Sequence, residues 1–382
     1  MPVYLDNNAT TSMPAEVLDV MLPYLTTTIG NPSSVHRYGR FSRQAIDDAR
    51  VQVAALVNAE PSQVVFTSGG TEANNLAISG SCKKWHNAAL AIAATEHSSV
   101  IEPARLQALD NTVLDMIDVN AQGQVTVAAL KQVLHDNTRL ISVMLANNET
   151  GVIQDLQPLL NIAQQHNIWF HTDASQAAGK IEVDLKQLPV QLLTLSSHKL
   201  YGPRGVGALI IDKNIEIDPI IVGGGQEKNM RSGTENIAAI VGFGKAAELA
   251  KQALQSRVEL LSQMQSQLEA GLTQIASVKI FAKDEKRLPN TTLFAIDGIE
   301  GETLLMQLDK KGFAVSSGSA CHSSKVRASH VLQAMGIDDL TGSGAIRVSL
   351  GIENNSAEVD GFLSAINEIL ETLRPNLSLN VS

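Results

Sequence analysis

At 382 residues the chain is longer than one ordinary compact domain and suits two, or one large domain with a smaller partner. Apolar residues make up 44% of it, enough for a sizeable core, and a net charge of −10 excludes the basic footprint of a nucleic-acid binder. No apolar run approaches the ~18 residues of a membrane span, and two cysteines, Cys82 and Cys321, are too few for a disulfide framework.

The opening MPVYLDNNATT has neither a basic n-region nor an apolar h-region, so it does not read as a signal peptide. A soluble cytoplasmic protein with two free thiols is the expectation. From about Gln63 to Asp212, β-rich runs alternate with helical patterns: VVFTSG leads into TEANNLAISGSCKKW, ALAIAAT precedes SSVIEPARLQAL, and TVLDMIDV precedes TVAALKQVL. RLISVML is then followed by LQPLLNIAQQHN, and IWFHTD by a loop. Continuous apolar strands separated by helices predict an α/β fold with a mainly parallel sheet covered on both faces. GALIID follows LLTLSS so closely that a tight antiparallel return is predicted there. Residues 236–277 read as one long helix. VKIFA, NTTLFAI and AIRVSLG then read as strands, GETLLMQLDKKG as a helix ending on Gly312, and AEVDGFLSAINEILETL as the last helix, with Pro375 just beyond its end. The expected division is a large domain over residues 14–261 and a smaller α+β domain built from 1–13 and 262–382.

Three segments carry chemistry. TSGGTEANN, residues 67–75, sits where a strand hands over to a helix. Gly69 and Gly70 permit a sharp turn, the free N–H groups of the helix start make an anion site suited to a phosphate, and Thr71 adds a hydroxyl. An ordinary turn is the plainer alternative, and without GxxxxGK[ST] no nucleotide-triphosphate loop is read. HTDASQ, residues 171–176, ends an apolar strand, so Asp173 points into the crevice where such sheets bind ligands. A carboxylate there can hold a protonated ring nitrogen, the pairing that makes pyridoxal 5'-phosphate a better electron sink; a turn cap is the alternative. SSHKLYGPRGVG, residues 196–207, again follows a strand. Partial desolvation of Lys199 would lower its pKa and leave its amine free to form an imine, with Ser196 and His198 as phosphate donors. The alternative is a plain lysine on an exposed loop.

A phosphate cradle, a strand-end carboxylate and then Ser-x-His-Lys is the chain order of the large aminotransferase-like fold. The sequence resembles the class V aminotransferase group, and most closely the cysteine desulfurases of the NifS/IscS type. LDNNATT, NPSSVHRYG, TSGGTEANN, TEHSSV, NNETGVIQD, DASQAAGK, SSHKLYGPRGVGAL, GGGQEKNMRSGTEN, SSGSACHSS and RVSLG match that family's motifs in order, from residue 5 to 351.

The resemblance implies the fold type I architecture of pyridoxal-phosphate enzymes, with Lys199 holding the cofactor as a Schiff base and Asp173 on its ring nitrogen. It implies that His97 stacks on the ring and serves as an acid/base group, that Asn148 orients cofactor and substrate, and that Gln176 bonds the phenolic oxygen. Gly70, Thr71, Ser196 and His198 would hold the phosphate. Thr234 would reach across to a partner chain's phosphate, which makes a homodimer the expected state. Arg347 would clamp the substrate carboxylate in a two-pronged pair. No metal site is expected.

Cys321 decides the activity. It lies in SSGSACHSSKVRAS, which reads as a long mobile loop at about residues 316–329, and an accessible thiolate on such a loop is reactive. A buried structural cysteine is the alternative, and it suits Cys82 better. The implied reaction converts L-cysteine to L-alanine, with sulfur passing to Cys321 as a persulfide for delivery to acceptor proteins in iron–sulfur cluster assembly, tRNA thiolation or related metabolism. Rival readings are an aminotransferase, a selenocysteine lyase, or a non-catalytic binding module. Two departures are noted: Leu145 stands where IscS-type members often have His, and the sequence lacks their added tail near the scaffold partner, which leaves the acceptor open.

Overall fold

The apolar runs form strands as their spacing predicts. The computed structural model describes residues 2–85, 87–110, 112–317 and 328–377, with side chains described to residue 373. After a short β1 (Val3–Tyr4) come β2 (Val64–Thr67), β3 (Ala89–Ala93), β4 (Val113–Ile117), β5 (Thr138–Ser142), β6 (Trp169–Asp173), β7 (Leu192–Ser196) and β8 (Gly207–Ile211). The last seven make one sheet in the order β2-β8-β7-β6-β5-β3-β4. β4, β3, β5, β6 and β7 run parallel, whereas β8 is antiparallel to β7 and β2, the tight return expected between LLTLSS and GALIID. Every residue of β2, β3, β7 and β8 is buried, so both faces of the sheet must be covered.

The intervening helices cover them: α1 (Ala15–Thr26), α2 (Arg37–Leu56), α3 (Gly70–Cys82), α4 (Ser98–Ala108), α5 (Val127–Val133) and α6 (Gln157–Gln165). In α2, Ser42, Ile46, Ala49, Arg50 and Val53 are buried at three- and four-residue spacing, the stripe of a helix with one inward face. The long helix expected over 236–277 is two helices, α7 (Ile237–Gln252) and α8 (Leu254–Leu272), broken at Ala253 with φ −97° and ψ 6°. The chain must turn there, because α7 packs on α1 and α2 while α8 packs beneath the second sheet. Alanine, the best helix former, gives no warning of such a break.

The remaining elements are β9 (Val278–Ile280), β10 (Thr291–Ile296), α9 (Gly301–Lys310), β11 (Phe313–Ala314), β12 (Ser316–Ser317), α10 (His330–Ala334), α11 (Asp339–Ser343), β13 (Ile346–Ser349) and α12 (Ser356–Leu377). β12-β13-β10-β9 is an antiparallel sheet backed by a separate core that includes Phe294 and Phe362. α12 runs through Pro375 rather than stopping before it. Proline's fixed φ is helical, and only one ladder bond is lost in the last turn. The boundary expected at residues 261/262 falls inside α8.

The N-terminal segment forms a two-stranded sheet of its own and touches the edge of this second sheet before it reaches the first. β1 pairs with β11, and Asn7 N–H donates to Ser349 O at 3.0 Å. Thr11 N–H then donates to His198 O at 3.1 Å, at the end of β7.

Candidate active site

A cavity of about 610 Å³ opens at the carboxyl ends of the parallel strands, the place where such sheets bind ligands. On one side lies the start of α3, whose first-turn N–H groups and positive dipole end suit an anion. A Cβ at Gly70 would meet Ser175 Oγ at 3.1 Å and Ser196 Cβ at 3.2 Å, so glycine keeps this approach open. Thr71, Ser196 and His198 also line the cavity. His198 Nδ1 lies 3.2 Å from Thr10 Oγ1, and burial, with the nearby Lys199 and Arg204 charges, holds the imidazole pKa down to about 4. It is therefore a neutral hydrogen-bonding group at physiological pH.

Asp173, at the end of β6, is buried at the base of the cavity. Its Oδ2 accepts from Asn74 Nδ2 at 2.7 Å, and its Oδ1 accepts from Ser175 N–H at 2.8 Å. Asn74 Nδ2 also donates to Ser99 Oγ at 2.8 Å, and Ser99 Oγ lies 2.7 Å from His97 Nδ1, which accepts from Ser99 N–H as well. With Nδ1 an acceptor, the proton of neutral His97 sits on Nε2. Burial keeps it neutral by lowering its pKa, against the pull of Asp173.

Lys199 follows β7 in a single 3₁₀ turn. Its Nζ donates to Asn8 O at 2.6 Å and Ala9 O at 2.8 Å. Burial, reinforced by the Arg347 charge and opposed by Asp173 and Asp6, lowers its pKa to about 8. A useful fraction of free amine therefore exists near neutral pH. Gln176 donates through Nε2 to the same Asn8 carbonyl at 3.0 Å.

Arg347, on β13, reaches the cavity from the second sheet. Its Nη1 donates to Asn148 O at 3.0 Å and its Nη2 to Asp6 Oδ1 at 2.6 Å, while its buried Nε has no partner among the described residues. Asn148 lines the cavity beside it. Thr234 stands apart, in an adjoining cavity of about 200 Å³ with Arg231 and Gly205. Cys321 lies outside the described residues. Cys82 is buried, and burial pushes its thiol up to about 12.

The geometry adds residues that the sequence reading passed over. Asn74 stands inside TSGGTEANN, one helical turn beyond Gly70, and its spacing could have placed it on the same face. Asp6 and Asn8 lie some three hundred residues from Arg347 and Asn290, and no local pattern links them.

The fold and this site define a class: a mainly parallel sheet whose strand ends carry a depressed-pKa lysine, a carboxylate and an anion cradle, as in the class V aminotransferases, whose family model matches residues 3–362. Cysteine desulfurase IscS of Dictyoglomus turgidum is 41% identical over 97% of this chain and 95% of its own length. A solved NifS-like protein is 35% identical with a TM-score of 0.92, covering 97% of this chain and 100% of that one. SspA, solved in complex with cysteine, is 31% identical with a TM-score of 0.81 over 91% of this chain and 98% of its own. The chain belongs to the class V aminotransferase family and, within it, to the NifS/IscS-type cysteine desulfurases.

Proposed function

We propose that the chain is a pyridoxal-phosphate-dependent cysteine desulfurase that converts L-cysteine to L-alanine and takes the sulfur onto Cys321. The observation that carries this is the convergence of Lys199, Asp173 and Arg347 on one cavity. The donor set suits that cofactor: an amine poised near neutrality, a buried carboxylate for a ring N–H, and a side-chain-free cradle at Gly70 for a phosphate. Thr71, Ser196 and His198 would hold the phosphate, His97 and Gln176 the ring, and Asn148 the ring and substrate. When bound, pyridoxal phosphate supplies a carbonyl carbon for amines and a sink for the electrons left by a departing α-proton.

The chain's own groups do the rest. Arg347 binds the substrate carboxylate, and SspA, a structural neighbour of this chain, is solved in complex with cysteine. Lys199, partly unprotonated near neutral pH, moves the α-proton. The Cys321 thiolate attacks the substrate sulfur: an S–S bond forms, the substrate's S–C bond breaks, and the electron pair stays with carbon. Lys199 or His97 delivers a proton to that fragment, which leaves as alanine, and Cys321 is left as a persulfide for a protein acceptor.

A homodimer is part of this reading. It is supported by Thr234 standing outside its own chain's cradle and by the exposed apolar side chains Leu18, Leu22, Leu25, Ile29 and Phe41 on α1, α2 and their link. The division into 14–261 against 1–13 with 262–382 is supported by the seven-stranded sheet falling in the first part and the four-stranded sheet and the β1-β11 pair in the second. A cytoplasmic site is the matching proposal; among the described residues no helix is long and apolar enough to cross a membrane.

The test is to supply L-cysteine to the purified protein and assay alanine and sulfide beside Cys321→Ala. Equimolar products from a yellow wild type, lost in a yellow variant, are expected. A yellow protein that ignores cysteine overturns the substrate, and one that cannot be reconstituted with the cofactor overturns the whole reading.

A further inference from the structure

Lys180 is buried, at 4% exposure, just after the turn that follows β6. Its Nζ donates to Asn8 Oδ1 at 2.7 Å and to Gln176 Oε1 at 2.8 Å. The charged groups that bear on it are Lys199 and Arg347, both cations, and burial with these two holds its pKa well below the usual lysine range. Among the described residues, two acceptors and no carboxylate face its amine. A buried lysine in this state contributes nothing to solubility, and among the described residues it has no carboxylate to neutralise.

Its geometry fixes a neighbour. Gln176 Nε2 donates to Asn8 O at 3.0 Å, and a backbone carbonyl can only accept. Turning the amide over would set its oxygen against that carbonyl and lose the Lys180 bond. The amide is thus held from both ends, with its second N–H free for the cavity that Gln176 lines. Lys199 Nζ sits on the same Asn8 carbonyl, so the Gln176 donor lies beside the point where the Lys199 nitrogen meets the cofactor.

We propose that Lys180 is a positioning residue that turns the Gln176 amide so that it presents N–H, not oxygen, to the phenolic oxygen of the cofactor. The inference rests on the pyridoxal-phosphate reading of the site. A donor there stabilises the oxygen anion and thereby lowers the pKa of the adjoining Lys199 nitrogen, which can be read in the visible spectrum without turnover.

The experiment is a spectroscopic pH titration of the cofactor-loaded protein. Lys180→Met keeps the apolar stem and removes the donor. It should raise the chromophore's midpoint by about 0.7 pH unit, the size of one ordinary hydrogen bond. Gln176→Ala should raise it at least as far, and adding Lys180→Met to Gln176→Ala should change nothing more. Lys180→Gln, which returns an N–H donor, should bring the midpoint back toward wild type. A wild-type midpoint in Lys180→Met overturns the proposal, as does a full additional shift in the double variant, which would mean that Lys180 acts through charge or packing. Should Lys180→Met fail to fold, Lys180→Gln decides: a midpoint like that of Gln176→Ala overturns the proposal, and a wild-type midpoint supports it. A wild type that stays colourless overturns the cofactor reading and this inference with it, whereas a yellow wild type with an unmoved Lys180→Met overturns the inference alone.

Discussion

Arg347 Nη2 and Asp6 Oδ1 lie 2.6 Å apart, an ion pair that ties β13 to the N-terminal segment at the mouth of the cavity. Asp6 therefore occupies one prong of the guanidinium proposed to take the substrate carboxylate. Asp6→Asn keeps an acceptor that orients Arg347 but removes the competing charge, so KM for L-cysteine should fall about fivefold with kcat little changed. Asp6→Ala frees the guanidinium and should raise KM instead. Steady-state kinetics on both variants check this; the same direction in both would show that Asp6 does not act through Arg347.

Burial makes Lys199 a stronger nucleophile near neutrality than an exposed lysine, with a pKa of about 8 against the ordinary 10.5. Only the unprotonated amine can attack a carbonyl carbon, so uptake of pyridoxal phosphate by the apoprotein should speed up with rising pH and level off above about 8. Between pH 7 and pH 8 the free amine increases about fivefold. Stopped-flow absorbance over a pH series measures the midpoint, and a value near 10.5 would mean that the site does not perturb the lysine. Lys199→Arg, cationic throughout this range, should form no covalent chromophore at any pH.

The large sheet was legible because parallel strands buried on both faces leave unbroken apolar runs such as ALAIA and GALII, and the tight return at β8 follows from the short gap after LLTLS. Asp173 and Lys199 were legible for the same reason: each stands at the end of such a run, where chemistry in this architecture is placed. The break at Ala253 was not, because tertiary packing rather than local preference causes it. Nor were the roles of Asp6, Asn8 and Lys180. These are contacts between the first residues of the chain and its middle or end, and neither periodicity nor a short motif encodes a pairing across 172 or 341 positions. Asn74 lies between these extremes, since its helical spacing from Gly70 was visible while its bond to Asp173 was not.

A buried ion pair supports the segment that carries Thr234. Glu227 Oε1 accepts from Arg50 Nη2 at 2.6 Å, and Glu227 Oε2 accepts from Arg50 Nη1 and Phe66 N–H, each at 2.8 Å, with both side chains buried. Glu227→Ala would leave the buried Arg50 guanidinium with only the exposed Asp47 carboxylate, 3.9 Å from its Nε, as counter-charge, a loss of about 3 kcal/mol. Thermal unfolding should show a midpoint lower by several degrees. Replacing both partners at once, Arg50→Met with Glu227→Leu, should recover most of that loss, because no charge then remains buried. A double variant no more stable than Glu227→Ala would show that the Glu227 bond to Phe66 N–H, which both variants lose, rather than the charge, holds the segment.

The two cysteines should differ sharply in reactivity. Cys82 lies in α3 against the large sheet, and burial alone pushes its thiol up to about 12, so almost no thiolate exists at neutral pH and no reagent reaches it. Alkylation of the native protein with iodoacetamide should therefore modify one cysteine per chain, Cys321, with desulfurase activity lost in step. Cys321→Ala should take up none while folded and one after denaturation. Adding L-cysteine before the alkylating reagent should add one sulfur atom to the Cys321 peptide and none to the Cys82 peptide, as read by mass spectrometry. Native labelling at Cys82 would contradict its burial, and sulfur found on Cys82 would move the persulfide, and with it the proposed nucleophile, to the wrong end of the chain.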